Sequence, residues 1–232
     1  GAGVKQCAMA LVGGSGQSKL QVDFTPRSIL QVARKAKARR VVYASSSSVY
    51  GDAKESPKVE SVTGTLLSPY AVSKMVDELY AQVFGSGYGQ ELVGLRYFNV
   101  FGPRQDPKGA YAAVIPRWTQ ELLRGKLTEI YGDGKTSRDF CYVANVVQAN
   151  LLAATAKTAA GNVYNVAVGT RTTLNQLNRQ LRQLTGCKMK PVHHEFRAGD
   201  VRHSLASIRA AGRDLGYVPT HTLEQGLALT VS

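Results

Sequence analysis

The feature that most limits the fold is a regular alternation of strand-like and helix-like segments. Short apolar runs are separated by longer segments whose apolar residues recur at helical spacing. We predict helices over residues 28–37, 69–84 and 143–156, and strands over residues 41–44 and 92–97. This order favours an α/β fold in which crossover helices connect the strands of a parallel sheet.

The segments become shorter towards the end of the chain. We predict a strand over residues 163–166, a helix over residues 174–184 that Gly186 ends, and an amphipathic stretch near residues 223–231. With 232 residues the chain can bury a sizeable core. One α/β unit with a small appended lobe is the natural expectation.

Composition limits the class of protein. No apolar run is long enough to span a bilayer, and no basic-then-apolar leader is present, so we expect a soluble protein without a membrane partner. The cysteines Cys7, Cys141 and Cys187 are isolated and lack metal-ligand spacing. This usage favours a reducing, cytoplasmic compartment over a disulfide framework.

The chain is strongly basic. Lysine and arginine number 29 against 16 acidic residues, which leaves a formal charge of +13. Only residues 34–40 form a dense basic cluster, at the end of a predicted helix, where cations oppose the helix dipole. Since no aromatic-rich RNA signature accompanies it, we interpret the charge as solubility plus attraction for phosphate and expect no nucleic-acid partner.

A helix start is signalled at Ser68-Pro69, where serine is a preferred N-cap and proline suits the first helical position. This start places Tyr70 and Lys74 one turn apart on the same face. A phenol beside a fixed cation loses its proton more readily, so it can act as a base near neutrality. We also predict a buried stripe, which consists of Val72, Val76, Leu79 and Val83.

Hydroxyl groups follow the predicted strand at residues 41–44. Ser45, Ser46, Ser47 and Ser48 lie at its carboxyl end, which is where open α/β sheets place their ligands. A Tyr-x-x-x-Lys pair alone is more often a half-exposed surface pair, and serines at a strand end can simply cap the turn. Together they predict a site that holds a substrate oxygen.

Several ordered motifs surround this pair. They are Tyr43–Gly51, Ser68–Lys74, Leu95–Pro103, Gly109–Pro116, Tyr131–Phe140 and Arg197–Ser204. In this order they resemble the extended short-chain dehydrogenase/reductase family, and more narrowly the NAD-dependent nucleotide-sugar epimerases and dehydratases. The pattern is most similar to that of UDP-N-acetylglucosamine 4-epimerases, with a match from about residue 20 to the end.

The resemblance implies a partial Rossmann-like parallel sheet with a small α+β substrate lobe. We expect an irregular leader over residues 1–20, the partial Rossmann-type domain with inserted lobe segments over residues 21–168, and the rest of the lobe over residues 169–232. Relatives imply a homodimer built by helix packing. The activity implied is 4-epimerisation of a UDP-sugar in polysaccharide biosynthesis, with transient hydride transfer to NAD.

The resemblance also assigns residues. It implies that Tyr70 is the catalytic base and that Lys74 lowers the pKa of this tyrosine and holds the nicotinamide ribose. It implies that the Ser46 hydroxyl bridges the substrate O4 and the Tyr70 phenol, and that Tyr97 contacts the cofactor. Substrate contacts are expected from Ser47, Asn99, Arg138, Arg171, Arg197 and Asp200. Ser204 matches a position that is tyrosine in relatives restricted to plain hexoses, so its small side chain points to N-acetylhexosamines.

Two departures from the family pattern keep alternatives open. Members of the family begin with a strand and a Gly-x-x-Gly-x-x-Gly turn, and neither is recognisable in this sequence. Gly13–Gly16 is a weak substitute for that turn, because no acidic residue follows at the spacing that dinucleotide binding requires. The alternative function is therefore an inactive truncated remnant that binds a nucleotide sugar or a protein. Dehydratases carry an Asp-Glu pair where this chain has Ser47-Ser48, which counts against them. We expect no metal, because His193, His194 and His203 lack partners at metal spacing.

Overall fold

The computed structural model describes residues 7–10, 26–108, 113–196 and 201–232. In chain order the strands are β1 Cys7–Ala10, β2 Arg40–Ser46, β3 Glu91–Tyr97, β4 Val100–Phe101, β5 Glu129–Tyr131, β6 Ser137–Arg138, β7 Cys141–Tyr142, β8 Val163–Val166, β9 Thr172–Thr173 and β10 Val192–His194. The helices are α1 Pro26–Lys35, α2 Pro69–Tyr88, α3 Val114–Leu123, α4 Val143–Thr155, α5 Leu174–Thr185, α6 Arg209–Leu215 and α7 Leu223–Val231, with a 3₁₀ turn at Ser47–Tyr50.

The centre of the described fold is a four-stranded parallel sheet with the order β1-β2-β3-β8. Its register pairs Ser46 with Tyr97 and Tyr97 with Val166, so these strands end at a common carboxyl edge. The predicted parallel sheet is confirmed. Strand β1 lies within the predicted leader, and its pairing with β2 gives that part of the chain regular structure.

Helices cover both faces of this sheet. Successive residues of a strand point to opposite faces, and Val41 and Val42 follow that rule. Val41 packs in one apolar cluster with α1 and α2, whereas Val42 belongs to the cluster that includes α4 and α6. The sheet is therefore the middle layer of a three-layer α/β unit, as the alternation of segments predicts.

The stripe predicted to be buried on α2 is wrong. Val72, Leu79 and Val83 are 48%, 52% and 60% exposed, and the helix instead buries a face that includes Glu78 and Phe84. A carboxylate can be buried here because Arg96 of β3 pairs with Glu78 through two nitrogens, at 2.9 and 2.8 Å. That pair turns the opposite, aliphatic side of α2 outwards.

A second apolar cluster forms the small lobe. It joins α3, α5 and α7 with the short strands β4, β5 and β7 around buried Trp118, Ile130 and Leu177. α5 begins with a capping box between Thr173 and Gln176 and ends at Gly186, whose φ of 69° is left-handed. The predicted end of that helix at Gly186 is confirmed.

Most predicted elements exist close to their predicted bounds. β8 and α7 have the expected ranges, and α4 ends one residue earlier than predicted, at Thr155. α2 continues past Phe84 to Tyr88, because Gly89, with a φ of 66°, supplies the left-handed cap. Within the described ranges, no helix combines the length and apolar content that crossing a membrane requires.

Candidate active site

The first turn of α2 has the geometry that its sequence predicts. The Ser68 hydroxyl accepts a hydrogen bond from the Ala71 amide at 3.1 Å, and Pro69 occupies the first helical position. Tyr70 is 55% exposed, whereas Lys74, one turn later, is only 6% exposed. The phenol therefore faces open space while the ammonium is held inside.

Contacts with β2 and with α2 itself hold the Lys74 ammonium. It donates to the Ala44 carbonyl at 3.1 Å and forms an ion pair with Asp77 at 3.1 Å. Burial raises the pKa of Asp77, and the hydrogen bond and charge of Lys74 oppose that rise. The cation is thus fixed near the carboxyl end of β2, within one turn of Tyr70.

A buried polar network supports this arrangement. Glu78 accepts from the Ser45 hydroxyl of β2 as well as from Arg96. The Arg96 guanidinium lies 4.8 Å from the centre of the Tyr50 ring, and the Tyr50 hydroxyl donates to Asn165 at 2.7 Å. Charge-assisted bonds in a dry interior are strong, so they set the position of α2 against the sheet.

An open cavity of about 280 Å³ lies beside this helix start, and we call it the serine cavity. Most of its described lining residues are polar. They are Ser47, Ser48, Tyr50, Gly51, Lys58, Leu67, Ser68, Asn99, Arg138, Val201 and Ser204.

A second cavity, of about 230 Å³, lies in the small lobe, and we call it the tryptophan cavity. Apolar and aromatic side chains dominate its lining. They are Asn99, Val100, Phe101, Ala113, Val114, Ile115, Arg117, Trp118, Glu129, Tyr131, Thr136, Arg138, Phe140 and Leu174. Since Asn99 and Arg138 border both cavities, the two spaces meet at these residues.

Asn99 has an unusual backbone. Its φ is +38°, in the left-handed region that asparagine tolerates better than most residues, and its side chain donates to the Asp139 carbonyl at 2.9 Å. With this conformation the chain turns away from the direction of β3 and enters the small lobe. Asn99 is therefore held at the junction of the cavities by a contact 40 residues away.

Asp139 is a buried residue that sequence reasoning did not find. Its carboxylate accepts hydrogen bonds from the amides of Val168, Gly169 and Ala206. Burial raises its pKa to about 6, and these amides oppose the rise. Through these bonds the carboxylate holds two segments next to the residue that follows Arg138: the loop after β8 and the segment that carries Ser204.

Lys58 and Trp118 are two further lining residues that sequence reasoning missed. Lys58 is buried, although nothing in its local sequence marks it as different from the exposed Lys54. The Trp118 indole N–H is buried and has no acceptor among the described residues. A buried donor beside a cavity is a candidate contact for a ligand.

The structure brings together only part of the predicted site. Ser47, Asn99, Arg138 and Ser204 surround one cavity, whereas Arg171 is exposed and borders neither cavity. Arg197 and Asp200 lie outside the described residues, as does Gly13–Gly16.

Four other predicted residues do not line the serine cavity; they are Ser46, Tyr70, Lys74 and Tyr97. Ser46 accepts from the Ser48 amide at 3.1 Å, and its contact with Tyr70 stays a prediction. The Tyr97 phenol is hydrogen-bonded to Asn150, at 3.1 Å to the side-chain oxygen, and burial raises its pKa. The Tyr97 hydroxyl is therefore already occupied by a protein contact, and a cofactor would meet the residue at the end of β3.

The histidines make protein contacts. His203 pairs with the Ser137 hydroxyl at 2.8 Å, and His193 lies 2.8 Å from the Gly132 carbonyl. In the described part of the chain, no group of three metal-ligating side chains comes together.

A family model and individual relatives of known name point to the same family. The model of the NAD dependent epimerase/dehydratase family matches residues 25–167. A UDP-glucose 4-epimerase of Mycolicibacterium smegmatis is 35% identical over 204 residues, which cover 88% of this chain and 64% of that protein.

Two solved structures are similar over most of the chain. The UDP-glucose 4-epimerase of Thermotoga maritima, solved with UDP-glucose, has a TM-score of 0.84 and 38% identity. The UDP-N-acetylglucosamine 4-epimerase of Methanobrevibacter ruminantium, solved with UDP-N-acetylmuramic acid, has a TM-score of 0.85 and 38% identity. Each match covers 89% of this chain and 66% of the other. The chain therefore spans less than two thirds of the length of these relatives.

Proposed function

This chain belongs to the NAD dependent epimerase/dehydratase family, and we propose that it binds a UDP-sugar and serves 4-epimerisation between UDP-N-acetylglucosamine and UDP-N-acetylgalactosamine. The observation that carries the proposal is the common placement of Ser47, Asn99, Arg138 and Ser204 around one cavity beside the start of α2. Names of the similar proteins support a UDP-sugar ligand.

The two cavities suggest how such a ligand is divided. The polar serine cavity suits the sugar, and the aromatic tryptophan cavity suits a planar base. Because Arg138 borders both cavities, we assign its guanidinium to the diphosphate that joins the two parts. The Trp118 indole N–H gives the base pocket one donor that has no acceptor among the described residues.

Tyr70 is proposed as the group that removes and restores the proton of the C4 hydroxyl. Its exposure leaves the phenol accessible to a substrate, and the Lys74 ammonium lies one turn away on the same helix. Ser46 or Ser47 would donate to the sugar oxygen and keep it near the phenol. Inversion also needs the sugar to present either face, which an open cavity permits.

The described residues fit one end of NAD. Lys74 and Tyr70 offer an ammonium and a phenol for ribose hydroxyls, and Tyr97 lies at the adjacent strand end. A bound NAD would supply the hydride acceptor and donor that oxidation and reduction at C4 require. The glycines that could hold its phosphates, Gly13–Gly16, lie outside the described residues.

Ser204 supports the choice of an N-acetylated sugar. Its small side chain lines the serine cavity, and its amide donates to the Ser137 carbonyl at 3.1 Å, which holds it beside Arg138. A small residue leaves volume for an acetamido group at C2. The inactive alternative is not favoured, because the similar proteins cited above are named as epimerases.

We also propose that the protein is cytoplasmic and forms a homodimer through α2. The exposed side of α2 carries Val72, Leu79 and Val83, and an aliphatic helix face of this kind is typically covered by a partner. Sedimentation velocity tests the dimer, since Leu79→Glu should shift it to monomer while the exposed-site control Gln82→Glu should not. A monomeric parent protein would contradict it.

Binding is the first test of the function. Calorimetric titration should show saturable binding of UDP and of UDP-N-acetylglucosamine, and we expect weak or no binding of NAD alone. Arg138→Met should weaken UDP binding by roughly ten- to hundredfold, because a charge-assisted hydrogen bond is lost. Arg213→Met is the matched control, since Arg213 pairs with its neighbour Asp214 on the surface. Absence of UDP binding would contradict the proposal.

Turnover is the second test. With NAD present, nuclear magnetic resonance should detect UDP-N-acetylgalactosamine forming from UDP-N-acetylglucosamine. Tyr70→Phe should abolish turnover and leave UDP binding unchanged, whereas Tyr88→Phe, at the exposed end of the same helix, should change neither. Binding without turnover in the parent protein would favour the inactive alternative.

A further inference from the structure

The two residues that border both cavities, Asn99 and Arg138, are attached to the same third residue, Asp139. The Asn99 side chain donates to the Asp139 carbonyl at 2.9 Å. Arg138 is the last residue of β6 and precedes Asp139 directly. The Asp139 side chain is fully buried, at 0% exposure, so it does not itself contact a ligand in either cavity. How residue 139 is held therefore decides where both border residues lie.

Backbone amides of two distant segments hold the Asp139 carboxylate. Its Oδ1 accepts from the Val168 amide at 3.0 Å, and its Oδ2 accepts from the Gly169 amide at 3.0 Å. The Ala206 amide adds a longer bond of 3.4 Å. Hydrogen bonds to an ionised carboxylate are stronger than those between neutral groups. Since Val168 and Gly169 come just after β8, these bonds fix Asp139 at the carboxyl edge of the central sheet.

This fixed carboxylate sets the direction of the neighbouring guanidinium. Successive side chains of a strand point to opposite sides, and Arg138 lines both cavities while the Asp139 side chain lies in the interior. The Arg138 guanidinium donates to the Ser137 carbonyl at 3.0 Å and to the Arg202 carbonyl at 3.3 Å. A side chain that is oriented before the ligand arrives loses less conformational freedom on binding.

We infer that Asp139 is a positioning residue for the ligand diphosphate, because its carboxylate fixes Arg138 and Asn99 at the junction of the two cavities. This inference rests on the proposed UDP-sugar function and adds to it a residue that does not touch the ligand. The competing role for Asp139 is stabilisation of the fold alone. The two roles differ in one measurable respect, which is whether residues 138 and 139 are coupled in their effect on UDP affinity.

A double-mutant cycle measured by calorimetric titration with UDP tests the coupling. Asp139→Asn keeps the side-chain volume and removes the charge, and it should weaken UDP binding by roughly tenfold. Arg138→Met should then cost about threefold or less in the Asp139→Asn background, against roughly ten- to hundredfold in the parent protein. The reason is that a guanidinium that is no longer oriented contributes little to binding, so its removal loses little.

Two variants serve as controls. Asp106→Asn changes a carboxylate that accepts from the Lys108 amide at 2.8 Å within its own turn, and it should leave UDP affinity unchanged. Leu215→Ala opens a void in the apolar cluster beside the sheet, so it lowers the free energy of unfolding. It should nevertheless keep the UDP affinity and the full cost of Arg138→Met, which separates positioning from general destabilisation.

Amide hydrogen exchange in the parent protein gives a second measurement that needs no variant. Because energetic coupling between two sites is reciprocal, saturating UDP should slow exchange at the Val168 and Gly169 amides. Neither residue is among the described lining residues of the two cavities, so direct contact with UDP does not account for such slowing. If Asp139→Asn does not fold, this measurement decides.

The outcomes separate the inference from the proposed function. Unchanged UDP affinity in Asp139→Asn, or effects of the two substitutions that simply multiply, would overturn the positioning role. So would unchanged exchange at the Val168 and Gly169 amides. In each of these cases, weaker UDP binding by Arg138→Met would still support the proposed function. Failure of the parent protein to bind UDP would remove both proposals.

Discussion

The serine cavity and the tryptophan cavity meet at Asn99 and Arg138 but are stabilised by different forces. The first lies at the carboxyl edge of a parallel sheet above buried ion pairs and hydroxyl groups. The second lies in a lobe whose short strands and helices are held by apolar packing. One ligand site can therefore depend on charge geometry at one end and on packed volume at the other.

The largest expected effect tests the ionic support of the serine cavity. Glu78→Ala leaves the buried Arg96 guanidinium without its carboxylate, so the free energy of unfolding should fall by about 3–5 kcal/mol. Urea denaturation measures it. Glu121→Ala is the control, because its pair with Arg117 is long, at 4.0 Å, and partly exposed, and it should cost less than about 1 kcal/mol. Similar losses for both variants would refute the ionic account.

The second prediction tests the packing of the lobe. Leu177→Ala opens a void in the apolar cluster around Trp118, and it should lower the free energy of unfolding by about 2–5 kcal/mol. Leu184→Ala, on the exposed side of α5, is the matched control and should change it by about 0.5 kcal/mol or less. Urea denaturation compares the two. If the two leucines cost the same, packing does not distinguish this lobe.

The third prediction concerns Asp139, behind the junction of the cavities. Its folded pKa of about 6 lies above the ordinary value of 3.8, so the folded protein binds this proton more tightly than the unfolded chain. Its contribution is fully present below pH 3.8 and is lost as the pH rises through about 6. Relative to Asp139→Asn, the free energy of unfolding should therefore fall by about 2–3 kcal/mol over this window. Parallel curves for the two proteins would contradict the shifted pKa.

The smallest expected effect tests the volume of the serine cavity beside Ser204. Ser204→Tyr fills part of the serine cavity, so it should weaken UDP-N-acetylglucosamine binding relative to UDP-glucose by roughly tenfold, about 1.4 kcal/mol. Calorimetry gives the ratio, and Ser86→Tyr, on the exposed surface of α2, should leave it unchanged. Equal losses for both sugars would show that residue 204 does not contact the C2 substituent.

The sequence predicted best what depends on near neighbours. The Ser68 cap, the Gly186 helix end and the strand before the serine run involve contacts within a few residues, so local patterns were sufficient. The buried side of α2 was predicted wrongly, because it depends on a residue outside that local range. A carboxylate at residue 78 looks solvent-exposed until Arg96, 18 residues later, lies opposite it.

By itself, then, the sequence determined the α/β class, most helix and strand bounds, and the one-turn spacing of Tyr70 and Lys74 on α2. Only the tertiary structure decided which residues share a cavity, that Lys58 is buried, and that Asp139 ties distant loops to the junction. The physical reason is range. Capping and periodicity act over about one helical turn, whereas burial and charge pairing depend on segments that meet only when the chain is folded.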